Sequence, residues 1–402
     1  MPFQLSPAEE QVRKTAQEYT EKEIISRRKE LEKDDRAIWE EQADKQGKAG
    51  FHLHIIPREE GGTGIGFVAS CIAMEEICAG WPDLLFVELY EMAYYFAKAT
   101  GGEVEKKFMP GILKGEVRAV PVITEPSGGS DLLGLQSTAK KVDGGWVLNG
   151  RKCFIDEGEI CHFAMVLVKT GDPDDPATKG TRSLTAFIVE RDMPGYRIGR
   201  LEHTLARKED LAELILDNVF VPDSNVVGGE AGVGHGVGPV FKAVGDIGRL
   251  TICSMLNGIT LGSYRCSVQY AKERNLYGKP ISGLQAIQFR IAEMAIDLEA
   301  TRALTYRAAW LRTQGVRCDA EQATAKYFAT QAALRCSLHA INIHGAYGVL
   351  EDYMPQRYYR HAPLRISAGG TDEAMKMLIS RAALTMDANP DLSSKSMEEA
   401  GW

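Results

Sequence analysis

Pro121-Val122-Ile123-Thr124-Glu125-Pro126-Ser127-Gly128-Gly129-Ser130-Asp131 is the stretch that organises this chain of 402 residues. A β-prone run from Val117 to Thr124 feeds a proline-kinked, glycine-paired turn that ends in a hydroxyl and a carboxylate. Two adjacent glycines let the main chain lie against a flat ligand, with their N–H groups free to donate. Thr124 and Ser130 place hydroxyls on either side of that backbone. From the residues alone this is a strand and a tight turn, and most such turns bind nothing.

Working outward, the residues before the turn read as helical. Ser6-Pro7-Ala8-Glu9 forms a capping box with proline at the first helical position, opening a charged helix through about Glu30. Further helices are expected at Trp39 to Gly50, Phe67 to Gly80 and Leu84 to Thr100, with the segment ending near Gly115. Glu59-Glu60-Gly61-Gly62-Thr63-Gly64 is glycine-rich, but its acidic pair would repel phosphate, so it reads as a plain loop.

From Val117 to about Val226 the character is β. Short runs at Val122-Ile123, Ser137 to Val142, Trp146 to Leu148, Phe163 to Val168, Leu184 to Val189 and Ala212 to Phe220 are separated by turn signals. Those signals are Asp143-Gly144-Gly145, Asn149-Gly150 and Gly171 to Gly180; within the last, Asp172 to Pro176 reads as a flexible loop without function. After Pro239 the helical period returns, at Phe241 to Arg274, Gly283 to Gln314, Ala320 to Ile343 and Thr371 to Met386. Ile287, Ile291, Met294 and Leu298 form one apolar stripe. The expected class is α+β multidomain: a helical domain over 1–116, a small β-barrel or sandwich over 117–232, and a four-helix bundle over 233–388 that also makes subunit contacts. The Ser/Glu-rich residues 389–402 read as a flexible tail.

Composition narrows the class. A chain this long exceeds one core, and 44% hydrophobic with 25% charged residues is ordinary for a soluble protein. The net charge of -8 argues against a nucleic-acid partner. No apolar run reaches spanning length, and Met1-Pro2-Phe3-Gln4 is not a secretory signal. Cysteines 71, 78, 153, 161, 253, 266, 318 and 336 form no CxxC pair, which fits buried reduced thiols in a cytoplasmic protein without a metal site.

The eleven residues quoted first resemble the flavin-binding signature of the acyl-CoA dehydrogenase family. The similarity continues through Asn149-Gly150-Arg151-Lys152 to Phe154-Ile155, then Arg274 to Gln285, and finally Gly369-Gly370-Thr371, in the family's order and spacing. The resemblance implies FAD as cofactor, an acyl-CoA thioester as substrate, a homotetramer built as paired dimers, and an electron-transferring flavoprotein as partner. It assigns the backbone and hydroxyls of Ile123, Thr124 and Ser130 to the flavin ring and the thioester edge, with Phe154 and Ile155 beside the ring. Asp156 stands where the family carries Thr or Ser, and an ionised Asp cannot donate toward flavin N5 as that hydroxyl would.

Arg274 to Gly278 resembles the family's Arg-x-x-Phe-Gly motif, with Tyr277 for Phe; there the guanidinium meets the pyrophosphate of a neighbouring subunit's FAD. Gln285 matches a further cofactor contact. Asn342, Gly345 and Ala346 match a Gln-x-x-Gly-Gly stretch at the adenine end, with Asn for Gln and Ala for Gly. Thr371 and Glu373 match terminal cofactor contacts, and Arg381 a contact near the CoA nucleotide. Taken singly, each also reads as helix surface or cap.

An acyl-CoA dehydrogenase needs a carboxylate that removes the α-proton while the β-hydride leaves for the flavin. The family's commonest position for it is Gly369 here, and the alternative, one residue before Arg249, is Gly248. A relocated base is one explanation. Glu88 and Glu91 lie three apart in the aromatic run Leu84 to Phe96, with Tyr95 a turn beyond, and a carboxylate among such residues is costly unless paired. In the family the stretch aligned with Glu91 lines the acyl pocket, and some relatives acting on cyclic thioesters use a carboxylate elsewhere. A solvated stripe is the alternative for this pair, and Asp246 is a weaker candidate base. Enoyl-CoA reduction or a flavin-assisted elimination would need no such base, and a non-catalytic flavin-binding subunit is a third reading. The resemblance puts Glu91, Ser130, Arg249, Gly369 and Arg381 around the substrate, which would be cyclic or functionalised.

Overall fold

The computed structural model describes residues 4–33, 35–172, 174–207 and 211–385, so the expected tail lies outside the described residues. In chain order the elements are α1 (Pro7–Tyr19), α2 (Arg28–Leu31), α3 (Arg36–Ala49), α4 (Phe67–Gly80), α5 (Val87–Thr100), α6 (Gly102–Leu113), β1 (Ala119–Val122), β2 (Thr138–Val142), β3 (Gly145–Asp156), β4 (Phe163–Lys169), β5 (Leu184–Glu190), β6 (Tyr196–Glu202) and β7 (Leu211–Pro222). Then follow α7 (Val237–Ala243), α8 (Leu250–Glu273), the short strands β8 (Asn275–Leu276) and β9 (Lys279–Pro280), α9 (Gln285–Thr313), α10 (Asp319–His344), α11 (Met354–His361) and α12 (Asp372–Thr385). The order helical, β, helical is the expected one.

The compact units do not follow that order. One gathers Met1–Asp35, Thr63–Leu85 and Gly248–Trp402; the other gathers Arg36–Gly62 and Phe86–Ile247. In the first, α1 packs on α4, α4 packs on the long helices α8 and α9, and α10 packs on both of these. Helix α4 can do so because it is buried on every side, from Val68 to Gly80. Its Glu75 and Glu76 are neutralised inside: Arg302 and the Tyr306 hydroxyl bind Glu75, and Arg265 binds Glu76.

In the second unit α5 packs on β1 and on α6. The sheet runs β1-β4-β2-β3-β7-β6, with β5 also on β4. Strands β1 and β4 are parallel, Val122 opposite Val166, whereas β4–β5, β2–β3, β3–β7 and β6–β7 are antiparallel. Parallel pairing needs a crossover, and the chain supplies it with everything from Ile123 to His162.

Local expectations change in several places. Asn149-Gly150 is not a turn; it lies inside β3 at a register shift against β7, and glycine is needed at 150 because a Cβ there would collide with the Ser137 side chain. The first helix ends at Tyr19 and continues as π and 3-10 turns into α2 rather than running unbroken to Glu30. Likewise Phe241 to Arg274 is not one helix: Val244–Arg249 is a π-turn, at a segment weakened by Gly245 and Gly248. Elements absent from the sequence reading are α6, which starts on glycine and contains Pro110, the charged strand β6, and α11.

Candidate active site

The opening stretch folds as a two-residue turn. Glu125 and Gly128 exchange both backbone hydrogen bonds, at 3.1 and 2.9 Å, with Pro126 and Ser127 at the tip. The Gly128 N–H is therefore committed to the Glu125 carbonyl and is not free for a ligand, contrary to the sequence expectation. Gly128 earns its place differently: its φ is +146° and a Cβ there would meet nothing within 4 Å, so the outer side is open. Gly129 lies close to Thr124, whose Oγ1 would be 3.0 Å from an added Cβ. Ser130 is exposed, and Ile123 and Thr124 are half-buried.

Below the turn sits an ion pair that the sequence did not reveal. Lys152 on β3 is fully buried, and its Nζ donates to the Ile123 carbonyl (2.9 Å), the Leu167 carbonyl (2.7 Å) and Glu125 Oε1 (2.8 Å). Glu125 also accepts the backbone N–H groups of Gln136 and Ser137. Burial pushes the Glu125 carboxyl up, but the Lys152 bond and these N–H groups outweigh it and hold it below the usual range.

One residue on, Cys153 N–H donates to the Thr124 carbonyl at 3.0 Å, which fixes the neighbouring Phe154 to the turn. Phe154 has φ +58° and is 58% exposed, while Ile155 is buried. A left-handed aromatic residue costs about 1–2 kcal/mol and persists only where its surroundings impose it. Here the cause is a register shift between Lys152 and Ile155, which turns the ring out of the strand. Asp156 is half-buried at the end of β3. Beyond it, Glu157 pairs with Arg207 at 3.0 Å, and burial, with Asp156 adding to it, raises the Glu159 carboxyl above its ordinary range.

In the same unit α5 carries Glu91, which is 1% exposed, between the equally enclosed Tyr90 and Met92. Glu91 is thus not part of a solvated stripe; Glu88 is half-buried. The helix is held firmly. The Tyr90 hydroxyl donates to the Ala43 carbonyl (2.8 Å), its ring lies against His52, and the Phe86 N–H donates to Gln46 (2.9 Å). Because α5 packs on β1, which leads into the turn, the buried carboxylate and the turn belong to one rigid frame.

The other unit holds the remaining residues. Gly369 (φ +62°) and Gly370 (φ +105°) form a glycine-only bend, and Arg249 Nε reaches the Gly369 carbonyl at 3.4 Å. Thr371 caps α12, its Oγ1 accepting from Ala374 N–H, and the next residue, Asp372, is anchored by Lys326 (2.8 Å) and Gln331 (2.9 Å). Glu373 and Arg381 are exposed on α12. Arg274 ends α8, and Tyr277 with Gly278, both at positive φ, turn β8 into β9 and leave Tyr277 91% exposed. The Arg274 guanidinium lies 5.7 Å from the Tyr347 ring, so the structure brings these two motifs together. Asn342, Gly345 and Ala346 are exposed around the end of α10, and Gln285 at the start of α9.

A flat, aromatic, phosphate-bearing cofactor fits these features. An exposed aromatic ring in a strained backbone stands beside a turn whose glycine is open on its outer side, and an exposed arginine stacks on a tyrosine elsewhere in the chain.

Comparison with known proteins agrees. The acyl-CoA dehydrogenase N-terminal, middle and C-terminal domains match residues 6–116, 122–219 and 235–384. Benzylmalonyl-CoA dehydrogenase of Aromatoleum aromaticum is 34% identical over 351 residues, covering 86% of this chain and 89% of that one. The CarC subunit of the caffeyl-CoA reductase-Etf complex of Acetobacterium woodii is 32% identical over 373 residues, 92% and 96% of the two chains. A glutaryl-CoA dehydrogenase solved as its glutaryl-CoA complex superposes with a TM-score of 0.87 at 32% identity, covering 96% and 97%.

Proposed function

The chain belongs to the acyl-CoA dehydrogenase family, FAD-dependent oxidoreductases acting on the CH–CH group of acyl-CoA thioesters, and from that premise we propose that it desaturates a cyclic or functionalised acyl-CoA with Glu91 as the base. The observation that carries this reading is the burial of Glu91, 1% exposed, in a chain whose two customary base positions are Gly248 and Gly369. Burial withdraws this carboxylate from water, the setting in which a positioned general base works.

In this reading the residues divide the work. Ile123, Thr124, Ser130, Phe154 and Ile155 seat the flavin ring, and Asp156 faces its edge. Arg274, Tyr277, Gln285, Asn342, Gly345, Ala346, Thr371 and Glu373 hold the rest of the cofactor. FAD, when bound, accepts the electron pair that leaves the β-carbon. Glu91 takes the α-proton. Arg249, the Gly369 backbone and Ser130 position the thioester and acyl group, and Arg381 meets the nucleotide end of CoA. A wide acyl group is in keeping with a relative named for benzylmalonyl-CoA. The assembly is a homotetramer in which the exposed Arg274–Tyr277 hairpin serves a neighbouring subunit, and an electron-transferring flavoprotein takes the electrons, as the Etf complex named for CarC suggests.

The test is Glu91→Gln. Exchange of the substrate's α-proton with solvent should fall by roughly a hundred- to ten-thousand-fold while FAD stays bound. Unchanged exchange would remove Glu91 from this role. The reductase named in the CarC complex favours a second reading, in which the chain reduces an enoyl-CoA; turnover in that direction alone would establish it.

A further inference from the structure

We propose that Lys152 is a positioning residue for the flavin: its buried ammonium ends strand β1 and fixes the Ile123–Glu125 backbone and, through Cys153, the strained Phe154. Parallel pairing of β1 with β4 stops at Val122 opposite Val166, so the next rung would set Ile123 against Leu167. Lys152 Nζ occupies that rung instead, donating to the carbonyls of both residues, at 2.9 and 2.7 Å. Its third proton goes to Glu125 Oε1 at 2.8 Å, so every donor of the ammonium is used. Glu125 in turn accepts from Gln136 and Ser137, which binds the turn to the start of β2. With Glu125, one side chain thereby ties β3, β4, the turn and the start of β2 together where the β1–β4 pairing stops.

Stability alone does not explain the arrangement. Both side chains of the pair are withdrawn from water, 0% and 2% exposed, and a buried ion pair is often no more stabilising than apolar residues of the same shape. What charge and direction add is a single geometry for two backbone carbonyls and one carboxylate. The residue after Lys152 donates to Thr124, and the residue after that is the exposed, left-handed Phe154, so the position of Lys152 along β3 is transmitted to both sides of the turn. This inference rests on the family's cofactor and not on which group removes the α-proton, so it stands or falls separately from Glu91.

The pair is removed together, as Lys152→Met with Glu125→Gln, to avoid leaving one buried charge alone. The full-length chain is saturated with FAD, and the readouts are FAD affinity, the visible circular dichroism of the bound flavin and its midpoint potential, beside far-ultraviolet dichroism for folding. The expected result is a folded protein with FAD affinity lowered about tenfold or more, altered flavin dichroism and a shifted potential, since misplacement by a fraction of an ångström is felt at a preorganised site. Glu125→Gln alone leaves the Lys152 ammonium on both carbonyls but without its carboxylate, so it should perturb the flavin spectrum less than the double variant does. Should the first pair fail to fold, Lys152→Gln with Glu125→Gln carries the same test. A folded double variant with parental affinity, dichroism and potential overturns the proposal, as does a single Glu125→Gln variant that matches the double one.

Discussion

Arg249 Nε and the carbonyl oxygen of Gly369 stand 3.4 Å apart, so the two positions that the resemblance assigns to the base, Gly248 and Gly369, lie near one another with glycine at both. Gly248 immediately precedes Arg249, and Gly369 offers only its main chain. The bend at Gly369 is itself adapted to glycine. Its φ is +62°, and an added Cβ would come within 2.6 Å of Ile252 Cδ1.

Gly369→Glu is therefore expected to be a poor restoration. A side chain at this φ costs about 1–2 kcal/mol, and the Ile252 side chain must swing away as well. Chemical denaturation should show that loss, and Ile252→Val in the same chain should recover part of it. In a Glu91→Gln background the added glutamate should bring back little proton exchange.

Phe154 holds a left-handed backbone with its ring outside the core. Because the ring is 58% exposed, removing it forfeits little packing, whereas glycine relaxes a φ of +58°. Phe154→Gly should leave the apoprotein as stable as the parent or more so, by up to about 1 kcal/mol. The same change should weaken FAD binding, by tenfold or more in a fluorescence titration. A parallel loss of stability and affinity would mean that the ring is structural.

The turn was legible in the sequence because proline and paired glycine leave their backbone demands in the letters, whereas Phe154-Ile155 was marked by the family resemblance alone. Lys152 was not. A lysine in an alternating strand reads as solvent-facing, and only the three-dimensional meeting of Ile123, Leu167 and Glu125 makes it an interior group. The burial of Glu91 was ambiguous for a related reason: the run around it is apolar on all sides, so periodicity could not separate it from Glu88. The π-turn at Val244–Arg249 left a trace in Gly245 and Gly248, but periodicity on either side masked it. The division into units could not be read at all, since α4 and α5 are near neighbours in sequence yet belong to different ones.

A second enclosed lysine guards the Gly369 bend. Lys326 is fully buried and donates to the Ile366 carbonyl (2.7 Å) and to Asp372 (2.8 Å), on either side of Gly369–Thr371. Lys326→Met alone would strand the carboxylate of Asp372, which is 5% exposed, at a cost of about 3–5 kcal/mol. Adding Asp372→Asn should recover most of that loss. Equal stability of the single and double variants would contradict the pairing.

Acid should weaken the unit that carries Glu91 through two buried histidines. His52 and His54 are buried beneath α5, and burial pushes both down to about 4, from 6.5. At neutral pH both states of the chain leave these imidazoles neutral, so no difference arises. As pH falls below 6.5 the unfolded chain takes up protons that the folded one refuses, and stability drops by 1.36 kcal/mol per histidine for each pH unit, until about pH 4. At pH 5 that amounts to about 2 kcal/mol for each histidine. Denaturation midpoints measured from pH 7 to pH 5 should fall accordingly, and His54→Gln should make the slope shallower by the share of that one histidine. A flat profile over that range would show that the two rings are solvated and already titrate freely in the folded chain.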